Sequence, residues 1–383
     1  MRRVLVLLLV CSLWGWGSTA RAEVGVTADS VTVGVSNAQQ GPAHFLGVEL
    51  SRGARVYFNA VNAQGGVLGR QIKVVQYDDG YEPDSCIANT KHLLEKDKVF
   101  ALINYVGTPT SKAVAPMIAA HNVPFFFPFT GAGFLRDMML SPTVFNLRAT
   151  YDMETEALVD YVIKQGKRRI AIFYQDDSYG RAGLSGTRLA LERRDLPLAA
   201  AGTYLRNTTA VNQGLITILK AKPEAVIMIG TYLPCAEFIK RAVSLGMRDV
   251  TFLNISFVGS KALAQELGPL GDGVIVSQVV PLPWNADVPA VKEYQDMMRA
   301  SFSTFEPEFV SLEGFLNAKL FVEILKRAGS DLTRQRVIQT AESISHLDLG
   351  LGPVISYTTQ DHQGLKQVFL TVIKDGKFLS LER

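Results

Sequence analysis

Short apolar runs alternate with helical stretches along most of this chain, and they do so in two successive series. In the first, residues 31–35, 72–77, 100–103 and 123–127 read as strands, with helices over 50–61, 86–94 and 109–120. The second begins beyond residues 144–147. Its strands are 170–174, 200–204, 225–229, 251–254 and 274–279, and its helices are 153–164, 181–194, 211–220, 235–245 and 261–267. Strands that are apolar along their whole length are covered by helices on both faces, which calls for parallel sheets built from βαβ units. Two such series predict an α/β fold with two doubly wound parallel-sheet lobes. The remainder changes character. Helices are expected over 291–302, 310–328 and 333–343, then antiparallel strands over 354–357, 368–373 and 378–381, with Asp375-Gly376 as a hairpin turn.

The amino terminus reads as an export leader. Arg2 and Arg3 precede an apolar run, and Ala20-Arg21-Ala22 forms an A-x-A cleavage site, which predicts removal of residues 1–22 and a periplasmic protein. Cys11 comes after Val10 and makes a poor lipid-attachment cysteine. The leader also accounts for the net charge. Of the 39 basic residues, Arg2, Arg3 and Arg21 lie in it and none of the 36 acidic ones does, so residues 23–383 carry 36 of each sign. A neutral chain offers no electrostatic case for nucleic acid or an anionic membrane surface. Two cysteines, Cys86 and Cys235, remain; they allow one bridge but make no disulfide framework, and both read as packed thiols.

Enzyme signatures are sparse. The five histidines are scattered without metal-ligand spacing, and no nucleophile elbow or phosphate-binding loop is present. Gly131-Ala132-Gly133 begins like a dinucleotide fingerprint, but Arg136 stands where its third glycine belongs. Asp78-Asp79 and Asp176-Asp177 each come after a strand and read as turn and cap residues. No catalytic residue, metal or cofactor is therefore expected.

Hydroxyl and aromatic residues instead crowd the ends of the strands, where open α/β sheets bind ligands. These positions hold 36–42 (with Gln39), 105–110, 128–132, 178–180, 230–234 and 255–257. Tyr105, Phe129, Phe257 and Trp284 are placed to line a pocket, Thr108 is a plausible helix N-cap, and Phe125-Phe126-Phe127 reads as a buried strand.

Several segments carry a resemblance. They are Val33-Gly34-Val35 with Gly41-Pro42, the run NAVNAQGGVLGR at 59–70, Asp78-Asp79, 124–130, 144–148, 170–174 with Tyr179-Gly180, and 374–378. In them the chain resembles the type I periplasmic solute-binding proteins of ABC importers, in the leucine/isoleucine/valine-binding branch. The resemblance implies lobes joined by a three-strand hinge near Leu147, Val279 and Pro353. The first lobe would comprise 23–147 and 280–352, the second 148–279 and 353–383.

By the same resemblance, Thr108 and Thr110 hold a ligand carboxylate, Thr130 and Gly131 form the neighbouring polar loop, and Tyr179 and Tyr232 are second-lobe aromatic contacts. Gln39, Tyr105, Phe129, Ser256 and Phe257 complete the expected ligand-binding set. Amino-acid binders of the family pair the α-ammonium with an acid near position 256, where this chain has Ile255-Ser256-Phe257. An unpaired buried ammonium costs several kcal/mol. Either Glu313 reaches the site or the ligand lacks an ammonium, and the second option is favoured: a carboxylate with an apolar or aromatic body, or another mostly apolar solute. The implied role is capture of a small solute by a monomer that delivers it to an ABC permease and ATPase in the inner membrane. A sensor of the same fold is the alternative.

Overall fold

The computed structural model describes residues 23–381; the leader and its cleavage site lie outside the described residues. The chain runs β1 (Ser30–Asn37), α1 (His44–Ala63), β2 (Gln71–Asp78), α2 (Pro83–Glu95), β3 (Ala101–Ile103), α3 (Thr108–Ala120), β4 (Phe125–Phe126) and β5 (Val144–Phe145). It continues through α4 (Tyr151–Lys164), β6 (Ile170–Gln175), α5 (Ser178–Glu192), β7 (Ala200–Tyr204), α6 (Asn212–Lys220), β8 (Ala225–Ile229), α7 (Tyr232–Ser244), β9 (Thr251–Asn254), α8 (Ser260–Leu267) and β10 (Ile275–Gln278). Three helices come next, α9 (Pro289–Ser301), α10 (Phe309–Ala328) and α11 (Arg334–Glu342), then β11 (Phe369–Lys374) and β12 (Lys377–Leu381).

Two sheets result. One has the order β2-β1-β3-β4-β5, and the other β12-β11-β10-β9-β8-β6-β7. All pairs are parallel except β10–β11 and β11–β12. In each sheet the first strand, β1 or β6, lies between the next two in sequence. That reversal of winding opens a crevice at the strands' carboxyl ends, where ligands bind in folds of this kind. The chain passes from one sheet to the other after β5, returns after β10 when α9 and α10 pack on α1, and leaves again before β11. Beside the first passage, Asn146 bridges Gln363, and Leu365 N–H donates to Leu147 O.

Burial explains the strand pattern. β8 is buried at every position, as a strand sandwiched between two helical layers must be. The helices α1 and α10 meet backbone to backbone: a Cβ on Gly53 would lie 1.8 Å from Ser311 O, and one on Gly314 would lie 2.0 Å from Leu50 O. Only glycine allows that approach.

Some local expectations differ. Residues 354–357 form no ladder strand, only an isolated bridge between Leu347 and Ile355. α3 begins at Thr108 itself, with Gly107 as N-cap (φ 105°) and no side-chain cap, so Thr108 is not the cap residue. Asp177 does cap α5 by accepting from Tyr179 N–H. Asp78 and Asp79 likewise accept backbone N–H groups of the turn beyond β2. Cys86 and Cys235 are free, buried thiols.

Candidate functional site

The facing ends of the two sheets touch. Gln175 Nε2, at the end of β6, donates to the Tyr81 hydroxyl beyond β2 at 3.2 Å. Arg206 reaches from beyond β7 to Glu82 at 2.7 Å, and Asn207 Nδ2 donates to Gly80 O at 3.0 Å. At another edge the Tyr232 ring meets Phe45 edge-on, with centroids 6.0 Å apart, and its hydroxyl lies 3.4 Å from His44 Nδ1.

An aromatic nest fills the centre. Around the Phe257 ring stand Tyr179 at 4.6 Å, Phe129 at 5.3 Å, Tyr81 at 6.0 Å and Tyr151 at 6.5 Å, measured between centroids. All five are buried. Phe129 and Tyr81 come from the first sheet's loops, the others from the second's, so the nest belongs to both halves.

Against it lies a charged cluster. Arg148, three residues beyond β5, stacks its guanidinium over Phe129 at 4.3 Å from the ring centroid. Its Nη2 donates to Ser256 Oγ. Glu154 Oε1 stands 3.8 Å from Nη2, and Glu313 Oε1 stands 3.6 Å from Nε. Glu154 also accepts from Ser256 N–H at 2.8 Å and from the Ser277 hydroxyl at 2.6 Å.

Burial pushes Glu313 up to about 7, with Arg148 opposing and Glu154 adding to the shift. Burial raises Glu154 too. For Arg148, burial pulls downward, but Glu313 and Glu154 outweigh it and hold the guanidinium charged. Removing one member of a buried ion cluster leaves an uncompensated charge and is costly.

Arg136 braces this arrangement. Its Nη1 donates to Thr130 O and Ala132 O, its Nη2 to Arg148 O, and its Nε to Gln363 Oε1. It thereby ties the 130–132 loop to two of the connections between the sheets. Burial, reinforced by Arg148, lowers it to about 9.

Several polar atoms here lack a hydrogen bond. Arg148 Nε and Nη1, Glu154 Oε1 and the Tyr151 hydroxyl are buried and make none among the described residues. Buried polar groups are rarely left so.

A periplasmic binding protein family model matches residues 30–377. An amino acid binding protein of Pseudomonas aeruginosa is 23% identical over 86% of this chain and 85% of its own length. The structure of a possible leucine/isoleucine/valine-binding protein from Rhodopirellula baltica superposes with TM-score 0.88 at 34% identity, covering 95% of this chain and 98% of that one. A fatty acid ABC transporter substrate-binding protein from Thermomonospora curvata superposes with TM-score 0.86 at 22% identity over 94% of each chain.

The chain is a type I periplasmic binding protein of the leucine/isoleucine/valine-binding family. Its fold of two parallel-sheet lobes is that of the type I binding proteins, and the family binds solutes rather than transforming them.

The expected site residues divide into those that converge and those that do not. Phe129, Thr130, Gly131, Tyr179, Ser256 and Phe257 meet at the nest or the charged cluster. Thr108 joins them, its hydroxyl 2.7 Å from that of Thr130. Gly131 is where Tyr151 comes closest: a Cβ there would lie 2.6 Å from Tyr151 Cδ1. Thr110 turns away, donating to Val106 O and, at 3.0 Å, Gly107 O in its own helical turn. Tyr105 lies in the core of the first sheet, edge-on to Phe125 at 5.0 Å with its hydroxyl 3.0 Å from Thr90, and lines no cleft. Gln39 donates to Asn37 Oδ1 on the outer side of α1, away from the nest. Tyr232 closes a rim rather than the centre.

Glu313 faces Arg148 in the charged cluster. The sequence pattern did not reveal Arg148, Tyr151, Glu154 and Tyr81 as site residues. One signal was available. Residues 151, 154, 155, 158, 159 and 162 share the buried stripe of α4, and an acid on such a stripe demands a partner.

Proposed function

We propose that this protein captures a small carboxylate solute with an apolar or aromatic body and hands it to an inner-membrane permease and its ATPase. One observation carries the reading: two donors of Arg148 are buried without a hydrogen bond where both lobes meet. A carboxylate placed there gains charge-assisted hydrogen bonds that water no longer supplies. The aromatic nest gives an apolar body partners from both lobes. Contact with both is what allows a ligand to favour closure, since a solute held by one lobe alone shifts nothing.

Charge supports a ligand without an ammonium. Arg136, Arg148 and Glu154 leave one positive charge whenever Glu313 is protonated, and a simple anion neutralises it while a zwitterion does not. The Pseudomonas relative is named for amino acids and the Thermomonospora neighbour for fatty acids, so both carboxylate classes occur among similar proteins. Export by the 1–22 leader and a hinge near residues 147, 279 and 353 complete the reading.

Calorimetry with the protein beginning at Glu23 tests it. Aryl and alkyl carboxylates should bind, their primary amides should not, and Arg148→Lys should weaken the acids at least tenfold. Equal binding of acids and amides, or an unaffected Arg148→Lys protein with a native melting curve, overturns it.

A further inference from the structure

A sizeable cavity lies away from the aromatic nest. It is a mostly apolar groove of about 660 Å³, walled by Trp284, Phe309, Phe378 and Leu379, with Ala264 and Gln265 of α8 opposite α10's first turn. Lys261 of α8 and Glu306 before α10, both on its lining, form an ion pair 2.7 Å long between the lobes. Trp284 stands edge-on to Phe309 at 5.5 Å and stacked with Phe378 at 6.5 Å, yet keeps 41% of its surface exposed. Leu379 keeps 51%. Both half-open apolar side chains lie on one concave seam.

The groove is closed off from the site but shares one wall with it. A second, small cavity is lined by Phe129, Ser256, Val279, Val280, Phe309 and Glu313. Phe129, Ser256 and Glu313 all touch Arg148. Phe309 is common to both cavities. The phenyl ring of Phe309 and the 279–284 connection are thus all that separates the cavity beside Arg148, of about 10 Å³, from the groove under the tryptophan. The charged end is buried and the far end is apolar and open.

We propose that the solute is an elongated carboxylate whose head pairs with Arg148 and whose apolar chain runs past Phe309 into the groove under Trp284. This rests on the carboxylate reading and adds the length and shape of the ligand. Entry and release require the lobes to part, which opens the way past Phe309 that the small cavity leaves closed. A chain lying in the seam would touch both lobes along its length and so bias closure more strongly as it lengthens.

The sequence supplies the reporter. Of three tryptophans, Trp14 and Trp16 lie in the leader, so the protein starting at Glu23 contains Trp284 alone. Straight-chain carboxylates from acetate to hexadecanoate, held below their micelle thresholds, are titrated by calorimetry and by Trp284 emission, with the matching primary alcohols as head-group controls.

Affinity should rise about fourfold per added methylene over the middle of the series. Trp284 emission should shift to the blue only with the longer chains. Leu379→Asp, an exposed position on β12, should remove at least tenfold of the long-chain affinity and leave that of the short acids unchanged. Short and long acids binding equally, with Trp284 emission unmoved, overturns the proposal and leaves the carboxylate reading standing. Alcohols binding as well as acids overturns both, as does a failure of every acid to bind.

Discussion

Replacing Glu313 by glutamine keeps the shape of the side chain and removes its titration. In the native protein burial lifts this carboxyl from 4.5 to about 7, so the folded state binds a proton that the unfolded chain releases near 4.5. Stability from this group is therefore fully present below about 4.5 and is lost as pH rises through about 7. A shift of that size corresponds to at most about 3 kcal/mol, and 1 to 3 kcal/mol is the order expected. Glu308, raised to about 7 chiefly by burial, and Asp79, raised to about 6 by burial, titrate in the same window. The difference between native protein and variant isolates Glu313 from both.

Urea denaturation of both ligand-free proteins at pH 4.5, 6, 7 and 8 gives the two curves, with equal m-values as the check that compactness is unchanged. The native protein should lose stability relative to Glu313→Gln as pH rises. Parallel curves, or a native protein that gains on the variant with rising pH, would mean that Arg148 holds Glu313 ionised and would refute the reasoning.

Thr108→Ala should weaken carboxylate binding by about fivefold, equivalent to ~1 kcal/mol for one lost hydrogen bond, whereas Thr110→Ala should lower the melting temperature and leave calorimetric affinity unchanged, because its hydroxyl serves its own helix. Arg206→Ala removes the contact with Glu82 across the lobe edge and one with Asp177 in its own lobe. Because Glu82 is partly exposed, the effect should stay within about 1 kcal/mol, read as a larger radius of gyration in X-ray scattering and an affinity loss of up to about fivefold. Cys86 and Cys235 should ignore a thiol reagent in the native protein and react fully in urea, since burial pushes both thiols up; rapid native labelling would contradict their packing.

The alternation of strands and helices was legible because each strand is covered on both faces and must be apolar throughout. Loop positions at strand ends were legible for the same topological reason, which is how Thr130, Tyr179 and Phe257 were found. What the sequence could not convey was direction. Tyr105 and Phe129 occupy equivalent-looking loop starts, yet one turns into the first sheet's core and the other under Arg148. Thr108 and Thr110 flank Pro109, and only the first turns toward Thr130 and the nest. Arg148 and Glu154 lie on a connection and a first helical turn, and their meeting depends on the packing of two lobes rather than on any local pattern. Arg136 looked like a failed fingerprint and is a brace.

The interlocked glycines of α1 and α10 have a mechanical consequence. With main chains in direct contact at Gly53 and Gly314, these two rods cannot slide or roll without a steric collision, so they behave as a single girder. Glu313 is mounted on that girder next to the contact, and its carboxylate is consequently a fixed anvil. Whatever motion admits the solute must be supplied by the opposite half swinging away from it as a body.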